Sequence, residues 1–384
     1  MLPIPPQRGH GPDRLPAIVM SPVTLLFGPV AAWNALQIIA VSSSAFTAYL
    51  ALGRFSRSWL ARMLGGATYG FSSYMVNQSL GHAHLTLAWY PPVLLVLIDV
   101  LFIRPRTTNR WRIGALLGIA TAAQLLTGEE LLATSAISAV VLLGVAAGLN
   151  RNRIVSATQG ALPALGIATI VFAVLAAYPL GVQFLGQQRV TGLLQPTNVY
   201  VTDAANFAVP TAMQAFGTPG SRELAARFAG GSTAEADSYI GIPLLAVLAV
   251  IAVVLRRRRA VLVAMLTSCC LGFLSLGPRL HAGGHITRLP LPWALVDRIP
   301  VLQNILPVRL MAFVFLGAAV VVTIGVDAAL QARRSWKRFA LTGAVAASLV
   351  PLLPVHPFPA RAPNCRLISA GPVRHPSSPL VLFY

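Results

Sequence analysis

Apolar runs alternate with short polar stretches along nearly the whole chain. A helix needs about 20 mostly apolar residues, at 1.5 Å rise each, to cross the hydrocarbon core of a bilayer. The pattern predicts an all-α, polytopic transmembrane helix bundle of about ten spans, at 30–52, 60–78, 86–103, 113–127, 130–149, 160–185, 238–255, 260–277, 307–330 and 339–355. A long outward loop, 186–237, separates the sixth and seventh spans.

The hydrophobic pattern divides the chain into three regions, with a transmembrane helical domain at 30–355 between two irregular ends. The N-terminal segment 1–29 contains Arg8 and Arg14 and no obvious apolar helix, so we expect an upstream helix to be missing from a truncated start. The C-terminal tail 356–384 shows neither helical nor strand periodicity. It is predicted to be disordered or to come from an altered reading frame.

Composition supports the membrane interpretation. Hydrophobic residues make up 56% of the chain and charged residues only 10%, with a mean hydropathy of +0.71. Soluble domains carry roughly 25% charged residues. The net charge of +19 comes from short clusters between apolar runs, without interleaved aromatic residues, so no nucleic-acid partner is expected. The chain has only 3 cysteines, and their positions offer no disulfide framework.

The cations indicate an orientation. The loops at 54–62, 104–112, 151–153, 256–259 and 333–338 hold 17 Arg and Lys residues, whereas the alternate loops hold 6 over far more residues. Because Arg and Lys concentrate in cytoplasmic loops, the alternate loops are predicted to face outward. Lys337 is the only lysine, which is typical of a GC-rich bacterial genome. We therefore expect a multi-pass protein of the bacterial plasma membrane with its site facing outward.

Polar side chains converge on the predicted outward face. Asn77, His82 and His84 lie at or just beyond the outer end of the second span. The two histidines could belong to a divalent-metal site, but their i, i+2 spacing in a glycine-containing turn supplies no third ligand, which favours interfacial hydrogen bonding. No cofactor is otherwise indicated. Trp293, in a short proline-flanked stretch, is expected in the interfacial aromatic belt.

Acidic residues on this face have two interpretations each. Glu130 with Thr127 matches an S/T-x-x-E capping box, which would leave it a structural role. Glu129 is not used by that cap, and an acid at membrane depth is costly enough to suggest function, so it is a candidate catalytic residue. Asp203 is the second candidate. It would either orient a substrate hydroxyl or cap a turn.

The long loop supplies candidate substrate-binding residues. Arg189, just past the sixth span, could hold a phosphate through paired N–H donors or anchor the helix at the interface. Gln188 and Tyr200 accompany it as candidate contacts. The bilayer midplane is mostly Ala, Leu and Val, which disfavours a transporter that would translocate a polar substrate.

Five stretches carry a resemblance to a known group of proteins: 69–101, 122–132, 178–203, 274–284 and 289–311. Over about residues 18–352 the chain resembles uncharacterised bacterial polytopic membrane proteins that are similar to the GT-C superfamily of glycosyltransferases. The resemblance implies a helical bundle that transfers a sugar from a polyprenyl-phosphate carrier on the outer face. In that superfamily an acid in the first outward loop acts as base or metal ligand. This chain departs from the pattern there, so no residue here inherits that role.

The sequence therefore favours a GT-C-like membrane glycosyltransferase, an incomplete copy, whose partners are a polyprenyl-phosphate sugar and membrane lipid. The alternative is a non-enzymatic membrane protein that binds or carries lipid-linked envelope precursors. In the enzymatic interpretation the acceptor hydroxyl needs a general base within hydrogen-bond reach, and Glu129 and Asp203 are the candidates. The sequence does not predict the oligomeric state.

Overall fold

The computed structural model describes residues 14–104, 109–185, 192–299, 302–332 and 335–356. Fifteen α-helices form within these ranges: α1 (Arg14–Phe27), α2 (Pro29–Ala51), α3 (Trp59–Gly70), α4 (Ser73–Gln78), α5 (Ala83–Thr86), α6 (Tyr90–Ile98), α7 (Arg110–Thr127), α8 (Glu129–Leu149), α9 (Arg151–Leu185), α10 (Pro219–Ala225), α11 (Ile242–Val254), α12 (Arg259–Ser275), α13 (Trp293–Val296), α14 (Met311–Leu330) and α15 (Ser335–Leu349). An antiparallel hairpin joins β1 (Arg279–Ala282) to β2 (His285–Pro290).

The helices agree with a membrane protein in length and composition. Within the described ranges, five helical segments are long and apolar enough to span a bilayer: Pro29–Arg54, Ala83–Ile103, Glu129–Leu149, Arg151–Leu185 and Pro307–Leu330. Four shorter apolar helices lie at Leu15–Phe27, Ile242–Val254, Arg259–Ser275 and Phe339–Leu352. The helical, multi-span character is confirmed, but the ten full-length spans of the sequence prediction are not.

Helix α14 forms the centre of the bundle. In its most apolar stretch of 18 residues, 89% of the residues are buried. In the corresponding stretch of α9 only 22% are buried, so most of α9 lies on the outer surface of the bundle. α14 packs against α3, α11, α12 and α15. Small residues permit this close approach, since a Cβ added to Gly65 of α3 would lie 2.8 Å from the carbonyl oxygen of Ala319.

Glycines also allow α7 and α9 to approach each other closely. Gly114 and Gly118 are one turn apart on α7, and a Cβ at Gly118 would come within 2.7 Å of the Ala168 carbonyl oxygen on α9. A small-xxx-small spacing lets helix backbones approach closely where lipid supplies no hydrophobic drive for association. Pro163 and Pro179 lie within α9 without ending it, as neighbouring groups in membrane helices can accommodate.

Three sequence predictions differ from the structure. The predicted span 60–78 is two helices, because the Ser72 side chain accepts a hydrogen bond from the Met75 amide and starts α4 afresh. Residues 14–27 of the segment described as irregular form α1, which packs on α2. Trp293 is fully buried rather than exposed in an interfacial belt.

The helix directions define two ends of the bundle. At one end, called the arginine end, lie the C-termini of α2, α8 and α14, together with Arg104, Arg110, Arg112 and the arginines of 151–153 and 256–259. At the other, called the cap end, lie the N-termini of α8, α11 and α14 and the C-termini of α4 and α12. A 20-residue helix such as α14 separates the two by about 30 Å.

The cap end is covered by two connecting segments, residues 192–241 and 277–299, here called the cap. The cap contains α10, α13 and the β1–β2 hairpin, joined by loops. The Thr202 amide donates to the Ser275 carbonyl at the end of α12. The chain after α15 joins the cap as well, because the Ala215 amide donates to the Leu353 carbonyl. These bonds fix the cap against the helix ends.

Candidate functional site

A group of charged and polar residues, all of them buried except Glu130, lies where the cap meets the helix ends. It consists of Arg309, Glu130, Glu235, Asp237 and Gln78, here called the acid cluster. Arg309 is 6% exposed and stands in the turn that precedes α14. Its guanidinium forms ion pairs with Glu130 of α8 and, at 3.0 Å, with Glu235 of the cap. One cation thus joins two acids from distant parts of the chain.

Gln78 connects the two cap acids. Its side-chain amide donates to Asp237 at 2.8 Å and to Glu235 at 3.3 Å. Gln78 and Asp237 are fully buried, and Glu235 is 4% exposed. The cluster therefore contains three carboxyl groups and one guanidinium, and full ionisation would leave excess negative charge away from water.

Helix α4 holds the cap acids in place. The Ser73 hydroxyl donates to the carbonyls of Asp237 and Tyr239, each at 2.7 Å. The Asn77 side-chain amide donates at 2.8 Å to the carbonyls of Thr233 and Ala236, on either side of Glu235. Asn77, predicted to bind substrate, is thus a buried support for the segment that carries both acids.

Burial changes the acidity of the cap carboxyls. It raises the pKa of Glu235 from its ordinary 4.5 to about 7, against a smaller lowering by the Gln78 hydrogen bond. It also raises the pKa of Asp237 well above its usual range, and the neighbouring charge of Glu235 acts in the same direction. Desolvation disfavours the charged form of a carboxyl, and a second nearby acid does the same. The pair therefore retains a proton near neutral pH.

The predicted histidines border the acid cluster. The Nδ1 atom of His82 lies 4.0 Å from a carboxyl oxygen of Glu235. The rings of His82 and His84 meet edge to face with centroids 5.9 Å apart. His84 packs beside Gly128, which immediately precedes Glu129, since a Cβ built there would lie 3.4 Å from His84. The structure thus brings the histidine turn, the start of α8 and Glu235 together.

Several buried polar atoms of the cluster have no hydrogen-bond partner among the described residues. Among them are the side-chain oxygen of Gln78 and one carboxyl oxygen of Asp237. The hydroxyl of the buried Tyr74, which neighbours the cluster, has no such partner either. Buried polar groups nearly always have partners, so such exceptions call for an explanation such as a water or ligand group. The cluster has capacity to bind a polar group that comes from outside the chain.

The two adjacent glutamates of α8 have different surroundings. The capping box is not formed, because α8 begins after Gly128 without a side-chain cap, and the Thr127 hydroxyl donates to the Ala123 carbonyl instead. Glu130 pairs with Arg309. Glu129, the predicted catalytic residue, is exposed and accepts a hydrogen bond from Gln183 at 2.7 Å.

Asp203 has the turn-capping role that the sequence left open. Its carboxylate accepts hydrogen bonds from the backbone amides of Ala205, Gly283 and Gly284, at 2.7–2.9 Å. These bonds fasten the β1–β2 hairpin to the 192–241 segment of the cap, and both carboxylate oxygens of Asp203 accept hydrogen bonds. Tyr200 is partly buried against an apolar cluster of the cap. Arg189 and Gln188 lie outside the described residues.

Sequence reasoning missed Glu235, Asp237 and Arg309. Two signals were available. The chain has only 10 acidic residues, and two of them stand two positions apart in the loop predicted to face outward. Arg309 stands near the start of the predicted span 307–330. An ionisable residue at such a place is expensive in a membrane and is a functional candidate for that reason.

No group of three or more His, Cys, Asp or Glu residues in the described ranges is arranged to hold a metal ion.

The chain matches a known sequence family. No curated protein and no solved structure matches the chain. A domain of unknown function, DUF6311, matches residues 15–305, which include Glu130, Glu235 and Asp237. The chain belongs to the DUF6311 family.

Proposed function

We propose that the protein is a GT-C-like membrane glycosyltransferase that takes a sugar from a polyprenyl-phosphate carrier, with the acid cluster as its reaction centre. The observation that carries the proposal is a pair of buried acids, Glu235 and Asp237, that the Gln78 side-chain amide bridges. Burial raises the pKa of both carboxyls, that of Glu235 to about 7. A general base works best when its pKa lies near the operating pH. This differs from the sequence prediction, which placed the base at Glu129 or Asp203.

In the proposed sugar transfer, Glu235 is the general base, Arg309 positions it and Arg189 binds the phosphate. The acceptor hydroxyl gives its proton to the Glu235 carboxylate while its oxygen bonds to the anomeric carbon of the sugar. The bond from that carbon to the phosphate oxygen breaks, and polyprenyl phosphate leaves with the negative charge. Arg309 holds Glu235 in position through their ion pair. Arg189 remains the proposed phosphate-binding residue.

The proposal includes a location and an orientation. The chain crosses the bacterial plasma membrane about ten times, with the shorter apolar helices as additional passes, and the cap faces outward. Reporter fusions test this placement. A fusion after Gly192 should report an outward location and one after Arg257 a cytoplasmic location. The reverse pair of results would contradict the proposed orientation.

Substitution of the cap acids tests the reaction centre. Purified protein in liposomes is given polyprenyl-phosphate-linked radiolabelled hexose or pentose, with bacterial membrane extract as acceptor. Transfer should fall by about 100-fold or more in Glu235→Gln, since a positioned general base contributes at least that much. The exposed Glu223 of the same cap provides the matched control, Glu223→Gln, with unchanged transfer expected. Full transfer by folded Glu235→Gln and Asp237→Asn proteins would exclude the acid cluster.

A second function, binding of lipid-linked envelope precursors without catalysis, is favoured by one observation. Both Glu130 and Glu235 are already engaged by Arg309, as they would be in a static binding site. The same liposomes distinguish the two functions. Retention of the labelled donor without release of polyprenyl phosphate, equal in wild type and Glu235→Gln, would support binding alone.

A further inference from the structure

A second feature of the bundle is a cavity between α6, α8, α12 and α14, with a volume of about 360 Å³. Its walls are mostly apolar, and Leu95, Leu142, Val263 and Leu316 are representative. Along α8 it extends from Ser135 to Asn150, which corresponds to about 22 Å at the helical rise of 1.5 Å per residue. That length suffices for a hydrocarbon chain across one leaflet of about 15 Å.

One end of the cavity is cationic. Arg104, Arg153 and Arg259 line it at the arginine end of the bundle, together with a single acid, Asp99. Arg153 and Arg259 are exposed. Arg104 donates to Asp99 at 2.8 Å and to the Arg54 carbonyl at 3.1 Å, and its second terminal nitrogen makes no hydrogen bond to a described residue. The rim therefore has unused guanidinium donors and an excess of positive charge.

Two hydroxyls inside the cavity are also unsatisfied. Ser138 is 6% exposed and Thr267 is 9% exposed, and neither hydroxyl has a hydrogen-bond partner among the described residues. Hydroxyls on neighbouring turns behave differently, as those of Thr134 and Ser135 donate to backbone carbonyls of α8. Both unsatisfied groups line the cavity, so its interior is not wholly apolar.

We propose that this cavity binds an anionic membrane phospholipid, with one acyl chain between α6, α8, α12 and α14 and the phosphate against Arg153 and Arg259. Guanidinium groups bind phosphate oxygens through paired N–H donors, which matches the charge of this rim. The phosphate would lie about a helix length, roughly 30 Å, from the acid cluster. The bound lipid is therefore not the sugar donor, and the inference does not rest on the proposed transfer.

The headgroup must supply the selectivity. Lipid tails are as apolar as leucine side chains, so an acyl chain gains little by moving from the bilayer into the cavity. Attraction between arginines and an anionic headgroup is significant at a membrane surface and weakens with salt. The site should therefore prefer phosphatidylglycerol to phosphatidylcholine, and salt should reduce the preference.

Native mass spectrometry tests the inference on the full chain. The protein is reconstituted in vesicles of equal phosphatidylglycerol and phosphatidylcholine, extracted in mild detergent, and the lipids that remain bound are counted. Wild type should retain more phosphatidylglycerol than phosphatidylcholine. In the double variant Arg153→Gln/Arg259→Gln the ratio of bound phosphatidylglycerol to bound phosphatidylcholine should fall about tenfold. Arg257→Gln, a change to an exposed arginine outside the cavity, should retain it.

A second variant addresses the chain-binding part. Ala139 lines the cavity, whereas Ala136 lies exposed on the same helix. Ala139→Phe should fill the cavity and reduce bound lipid, and Ala136→Phe should not. Equal lipid retention by wild type, the double arginine variant and Ala139→Phe would overturn the inference. A preference of wild type for phosphatidylglycerol that salt does not reduce would also overturn it. This second result is obtained with wild type alone, so it does not depend on whether a variant folds.

Discussion

The two ends of the bundle contain charged clusters of opposite balance. At the cap end one buried cation, Arg309, serves two acids directly, and Asp237 adds a third carboxyl beside them. At the arginine end one acid, Asp99, is held by Arg54 at 2.6 Å and Arg104 at 2.8 Å. The first cluster has an excess of carboxyl groups, and the second has an excess of guanidinium groups.

The two clusters also differ in how far their arginines are buried. The Arg309 side chain is 7% exposed, whereas those of Arg54 and Arg104 are 25% and 33% exposed and can turn toward headgroups or water. An unpaired charge is tolerated where solvent is within reach and is costly where it is not. At the arginine end the buried acid is therefore matched by two partly exposed guanidinium groups, whereas at the cap end the excess buried carboxyl groups favour binding a proton.

The largest effect should follow from removal of the buried cation. Arg309→Met leaves Glu130 and Glu235 without their common partner, and breaking a buried ion pair in this way costs about 3–5 kcal/mol. Unfolding of the purified protein in detergent should show the loss. Arg298, an exposed arginine of the cap, serves as the control, and Arg298→Gln should change stability little. Equal stability of Arg309→Met and Arg298→Gln would remove the distinction between the two clusters.

The pH dependence of stability should reflect the cap acids. Because the pKa of Glu235 is raised in the folded protein, the native state binds more protons than the unfolded state between pH 4.5 and about 7. Stability is therefore greatest below this window and falls as pH rises through it, by about 3 kcal/mol at 1.36 kcal/mol per pKa unit. Asp237, whose pKa is raised as well, adds to the same slope.

Denaturant titrations at a series of pH values measure this slope, and Glu235→Gln should flatten it. The exposed Glu223 again serves as the control, since Glu223→Gln should leave the slope as it is in wild type. Stability that rises between pH 4.5 and 7 would show that the cap acids are stabilised as carboxylates, which contradicts the burial argument.

A smaller effect is expected at the arginine end. Asp99→Asn removes the charge that Arg54 and Arg104 share, but both guanidiniums can then turn toward solvent. Loss of hydrogen bonds to a charged group should cost about 1.5–3 kcal/mol. The same unfolding assay compares this variant with Arg309→Met. A greater loss for Asp99→Asn would reverse the ranking of the two ends.

Local features of the fold followed from the sequence. The apolar runs predicted α2, α8 and α14 within a few residues, because each long helix needs a continuous hydrophobic segment to span a bilayer. The division at Ser72 and the helix α1 were not predicted. A side-chain cap depends on one hydrogen bond, which hydropathy does not register. The helix α1 has only 14 residues, fewer than the about 20 apolar residues by which a membrane span is recognised.

The candidate site was predicted only in part. His82 and His84 were selected because polar residues in an apolar chain are conspicuous, and the structure places them beside the acid cluster. The choice of Glu129 over Glu130 depended on a local capping pattern. A tertiary partner, Arg309, overrides that pattern from 179 residues away, and pairings at such separations have no local signature in a single sequence.

A direct measurement of carboxyl protonation tests the central claim that the acid cluster holds a titrating proton. Infrared difference spectra of the purified protein, recorded as pH is raised from 5 to 9, separate protonated carboxyl groups from carboxylates. Wild type should lose a buried carboxylic-acid band with a midpoint near the Glu235 pKa of about 7, and Glu235→Gln should lack that band. An identical titration in wild type and Glu235→Gln, or no protonated carboxyl above pH 5, would contradict the account.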